Sequence, residues 1–131
     1  MGAQQLLLTL LSVIVIGFAI VVGIDMFRDH TAATNRDAVA NDLVHAASYA
    51  QLYKRKPKIQ GGGGGSFIGF RLESVFKTLK NTNGSYSILG SATDSAVVFE
   101  GLGTQSGYDN TTLVKVTIKV YAENVEVVEV N

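Results

Sequence analysis

Few residues in this chain have the types and spacing that chemistry requires. Its 131 residues include no cysteine, no tryptophan and two histidines. Without thiols there can be no disulfide framework, thiolate zinc site, iron–sulfur cluster or covalently attached haem. His30 and His45 lie about four turns apart on a helix, too far to share a metal. Gly61–Gly65 is a run of five glycines, but it does not read as a phosphate-cradling loop. Such a loop opens a helix with Gly-Lys-Ser/Thr directly after a strand. Here the glycines follow a helical stretch and precede Phe67-Ile68-Gly69-Phe70. Gly101-Leu102-Gly103, followed by Gly107, lacks the spacing and the helix of a dinucleotide fingerprint and reads as a loop between strands. Asn83-Gly84-Ser85 and Asn110-Thr111-Thr112 match the N-glycosylation acceptor pattern, making Asn83 and Asn110 candidate modification sites. No nucleophile–base pair is visible, so the expectation is a non-enzyme with no cofactor and no metal.

The elements that carry these residues are more informative. Eleven acidic and eleven basic residues cancel, which argues against a polybasic nucleic-acid binder, and no nucleic-acid contact is expected. None of these charges, and neither histidine, falls in the first 24 residues. Leu6 to Ile24 spans 19 residues, of which 14 are Leu, Ile, Val or Phe. As a helix it reaches roughly 28 Å, close to the hydrocarbon thickness of a bilayer. Nothing basic precedes the run and no small-residue cleavage site follows it, so it is not a cleaved secretory signal.

The helical pattern continues past Ile24. Asp25 to Arg55 contains no Gly and no Pro, and Val39, Leu43, Ala46, Ala50 and Tyr53 recur at steps of three and four. That is one apolar stripe suited to packing on a head, with Ala40, Val44 and Ala47 beside it and Asp37, Asn41, Asp42, His45 and Ser48 opposite. Asp25 and Asp29, near Arg28 and Arg36, read as surface ion pairs or inter-subunit contacts. Lys54, Arg55 and Lys56 complement the negative helix end, and Pro57 stops the helix. The division expected is 1–24 apolar helix half, 25–56 amphipathic half, 57–71 flexible Gly-rich linker and 72–131 globular head. Within the head, Leu72–Lys80 has helical spacing. Strands are predicted over Ser85–Gly90, Ala96–Gly101, Leu113–Tyr121 and Val125–Val130. Val114, Val116, Ile118 and Val120 share one face, Asn124 suits a left-handed hairpin position, and Val127-Val128 hints at a bulge. The fold class is α+β, one long N-terminal helix packed on a small antiparallel sheet of about four strands.

A helix half buried under such a sheet leaves its apolar half without a partner in the same chain. Lipid can cover it, or copies of the chain can, and Ala19 and Gly23 let neighbouring helices approach closely. Non-closing contacts of this kind generate an open helical polymer. In this order of elements the chain resembles a type IV pilin, over its whole length as architecture and over the first two dozen residues as a motif. The resemblance implies a short basic leader removed by a prepilin peptidase and N-methylation of Met1. It implies N-terminal docking through Met1, Gln4 and Gln5, where the family usually has Glu at the fifth position. It implies a filament core of Leu6, Leu7, Leu10, Val13, Ile14, Gly17, Phe18, Ala19, Val21 and Gly23. Val22 stands where the family often has Pro, which leaves Gly17 and Gly23 as the places where the helix could stretch. The implied partners are sister copies, the inner membrane before assembly and the pilus assembly machinery. The implied location is an extracellular filament serving adhesion, motility or DNA uptake. The alternative is a membrane-anchored monomeric binding module displaying loops such as Thr104–Thr111, or a minor pseudopilin of a secretion system.

Overall fold

A computed structural model describes residues 2–131. Its first element, α1, runs unbroken from Gly2 to Arg55. The chain divides into two compact units, one ending at Thr31 and one spanning Ala32–Asn131. In the first, every described residue up to His30 is exposed, and the helix is long and apolar enough to cross a membrane.

The second unit is built on a four-stranded antiparallel meander: β1 (Gly84–Ile88), β2 (Ala96–Ser106), β3 (Leu113–Tyr121) and β4 (Val125–Val130), neighbours in that order. The fold is α+β. The expected apolar face of β3 is present, since Val114, Val116, Ile118 and Val120 are all buried, although Thr117 on the opposite face is buried as well. Val116, Ile118 and Val120 share a core with Val39, Leu43, Ala46, Ala47 and Ala50 of α1 and with Phe67, Phe70, Leu72, Tyr86 and Phe99. Tyr53 is half-buried beside it. Small alanines on the stripe bring the helix backbone close to the sheet, and the aromatic rings fill the space at its flank. Val44 falls outside this packing and is 52% exposed. In β4 the register slips between Thr117↔Glu129 and Ile118↔Val127, so Val128 is the extra residue of the bulge.

Four local expectations are corrected. Leu72–Lys80 is not a helix: only a 3-10 turn over Leu72–Ser74 forms. Nine residues make a marginal helix on their own. Sheet pairing recruits the rest, with the Tyr86 N–H bonded to the Leu79 carbonyl, Lys80 bridged to Ser85, and Phe76 stacked on Tyr86 at 4.6 Å. Gly101 and Gly103 lie inside β2, not in a loop, and β2 extends five residues past its expected end. A Cβ on Gly101 would come within 2.6 Å of Val39 and one on Gly103 within 2.1 Å of Asn35, so both mark the close approach of α1 to the sheet. Among described non-glycine residues the one at positive φ is Asn110 (55°), not Asn124. The Tyr121–Asn124 turn closes instead through the Tyr121 N–H and the Asn124 carbonyl.

The glycine run is the fourth. It is an ordered cap on α1. The last carbonyls of a helix have no partner within it. Here the N–H groups of Gly63, Gly64 and Gly65 bond the carbonyls of Tyr53, Lys56 and Lys54 at 2.8, 2.9 and 2.7 Å. Gly63 is buried, and a Cβ there would sit 1.8 Å from the Ser66 carbonyl oxygen. Only glycines fold back this tightly over a helix end. Phe67 and Phe70, just beyond, enter the core, so 57–71 belongs structurally to the head.

Candidate functional site

The residues expected to form a filament core lie together on the first half of α1. Leu6, Leu7, Leu10, Val13, Ile14, Phe18 and Val21 are each between 53% and 70% exposed. Apart from adjacent residues and the helix's own backbone, no heavy atom lies within 4 Å of a Cβ built on Gly17 or Gly23, and the helix shows no break at either. The polar side chains in this stretch turn inward on the backbone: Thr9 Oγ1 donates to the Gln5 carbonyl and Ser12 Oγ to the Leu8 carbonyl, both at 2.8 Å. Such back-bonding hides hydroxyls that would be costly in a dry environment. Gln4 and Gln5 occupy exposed positions near the start of the helix. Met1 lies outside the described residues.

On the second half of α1 the structure reveals polar clamps that periodicity does not show. Asn35 is buried. Its Oδ1 accepts the N–H groups of Thr104 and Gln105 at 2.9 and 3.3 Å, and its Nδ2 donates to the Asn83 carbonyl at 2.8 Å. One side chain thereby serves backbone groups of β2, where its pairing with β3 is interrupted, and of the turn before β1. Arg36 lies over the Tyr108 ring at 3.7 Å and donates to the Asn131 carbonyl oxygen at 3.2 Å. Farther along, Gln51 donates to the Tyr121 carbonyl and Arg55 to that of Ala122.

Asp42 faces inward, against expectation. Its Oδ2 accepts from Asn81 and Asn83, each at 2.9 Å, and from the Tyr86 hydroxyl. Partial burial pushes its pKa up, but these three bonds and nearby His45 outweigh that and hold it below the ordinary 3.8. The same burial, with Asp42 beside it, pushes the Tyr86 phenol well above its usual value. The cluster also separates the two glycosylation candidates. Asn83 is half-buried with its amide nitrogen held by Asp42, whereas Asn110 is exposed in the left-handed conformation of the loop after β2.

A cleft of about 780 Å³ opens at the end of the sheet, lined by Asp109, Thr112, Lys115, Glu129 and Asn131 among others. Its polar groups are occupied internally. The Thr112 hydroxyl and the Thr112 and Thr111 N–H groups hold the Asp109 carboxyl well below the usual range. Lys115 pairs with Glu129 at 3.1 Å and Glu100 at 3.6 Å, which raises its pKa. The cleft is a self-satisfied surface feature. Compared with known proteins, the chain matches no family model, no curated protein and no solved structure.

Proposed function

We propose that this chain is a structural subunit that polymerises into an extracellular, type IV pilus-like filament, held in the membrane by the same helix before assembly. The observation that carries the reading is the first half of α1, where 14 large apolar side chains between Leu6 and Ile24 are exposed around the whole circumference. A soluble helix buries one stripe; a helix apolar all round belongs in lipid or among other helices. The small residues Gly17, Ala19 and Gly23 favour the second destination, because they permit close helix approach. Gln5 in place of the family's usual Glu makes N-terminal docking a hydrogen-bonding contact without an ion pair. The role is structural, and no catalytic step is assigned to it.

Negative-stain microscopy of material sheared from cells producing the chain tests this. Long uniform fibres that contain it are the expected result. Recovery of the chain only as a detergent-extracted monomer rejects polymerisation and favours an anchored binding module. Mass determination of the N-terminus is the second measurement, with a methylated Met1 or a longer precursor expected.

A further inference from the structure

The two edges of the sheet carry opposite charge on the same face. From residue 122 to the end the chain has three Glu and no Lys or Arg; from residue 74 to 93 it has two Lys and no Asp or Glu. The meander places the first segment at the β4 edge and the second along the β1 edge. Register partners across an antiparallel pair share a face. Lys80 pairs with Ser85, Ser85 with Leu102, and Leu102 with Lys115; on β4, Glu126 pairs with Lys119 and Glu129 with Thr117. Lys80, Glu126 and Glu129 therefore all lie on the sheet face turned away from the core. Glu126, Lys77 and Lys80 are exposed, and none has an ion pair among the described residues.

The β4 edge is also apolar and uncovered. Val127 and Val130 oppose the buried Ile118 and Val116 on the helix side, yet they are 60% and 43% exposed. Leu79 and Leu89 are exposed beside β1. An open strand edge with apolar flanks recruits another chain unless charge forbids it. Two β4 edges brought together would set glutamates against glutamates, and two β1 edges lysines against lysines. Only unlike edges attract.

We infer that the β4 edge of one copy docks against the Lys77–Lys80 segment at the β1 edge of the next, a head-to-head contact that pairs Glu126 with Lys80. The occupant of each edge is a second copy of this chain. The contact is heterologous, so it can pass from copy to copy, and its propagation into an open polymer rests on the filament reading above. It adds a charge-selected lateral contact to the burial of the apolar helices.

The cysteine-free chain allows a direct test on the full-length protein. Glu126→Cys and Lys80→Cys, singly and together, are treated with a short bismaleimide in membranes and in sheared material. Both positions are exposed, so the head tolerates them. The double variant is expected to give a ladder of covalent multimers, while each single variant stays monomeric. Fibres whose double variant remains monomeric, or a Glu126→Cys single that dimerises as readily, would overturn this contact and leave the filament reading intact. A ladder without fibres in the microscope would uphold the contact and reject the filament.

Discussion

At the residue scale, Asn35 and Asp42 hold the second half of α1 to the sheet by polar contacts that apolar packing does not replace. Asn35→Ala would strand two backbone N–H groups and a carbonyl in a partly buried place, and the expected loss is about 2–4 kcal/mol in chemical denaturation. Asp42 makes stability depend on pH at the acid end. Its native pKa lies below the unfolded 3.8, so its contribution is complete above that value and disappears as pH falls through the native pKa. Tyr86 acts at the other end. Its native pKa is raised above 10.0, so its contribution is complete below that value and is lost as pH climbs toward the native pKa. Thermal melts from pH 2 to pH 6 should show a flatter acid limb for Asp42→Asn than for the parent chain, together with a lower melting temperature at neutrality. An unchanged acid limb would assign that dependence to other carboxylates.

At the scale of elements, the glycine cap makes the sharpest claim. A flexible linker would accept alanine anywhere; an ordered cap would not. Gly63→Ala forces a methyl into the Ser66 carbonyl oxygen, and overpacking of this kind costs about 1–3 kcal/mol. Gly61→Asn is the contrast. Gly61 has φ 81° with open space around its Cβ position, and Asn tolerates the left-handed region, so this change should shift stability little. Equal melting temperatures for the two variants would return the run to linker status. The periodicity of Leu72, Val75 and Phe76 points these side chains toward the core as a helix would, although only a 3-10 turn forms. Spacing recorded which residues are buried there, not the backbone that buries them.

At the scale of the whole molecule, substitutions separate the proposed membrane residence from the proposed polymerisation. Ile14→Lys puts a charge at the middle of the apolar stretch and costs roughly 3 kcal/mol of insertion, so less of the chain should partition into the membrane fraction. Gly23→Leu keeps the segment apolar but blocks close helix approach. It should leave the membrane fraction unchanged while reducing fibre yield several-fold. If Gly23→Leu assembles normally, helix contact at that position plays no part in the filament.

What the amino-acid order determined by itself were the features with a local physical cause. The apolar stretch is contiguous, the stripe of Val39, Leu43, Ala46 and Ala50 follows from the helical repeat, and the β3 alternation follows from the pleat; each can be read within a dozen residues. The Val127-Val128 bulge was legible for the same reason, as a break in a period of two. Tertiary structure decided whatever depends on distant groups meeting. Asn35 finds its partners 48, 69 and 70 residues away, and Asp42 finds its own 39 to 44 residues away. Nothing in their surroundings on the helix distinguishes them from solvated polar residues. Gly101 and Gly103 read as loop because the helix that needs their missing side chains is remote in sequence. The glycine run read as slack because its order comes from carbonyls at the end of α1 rather than from any preference of its own. Burial pattern is a property of neighbours along the chain; polar satisfaction and close approach are properties of neighbours in space.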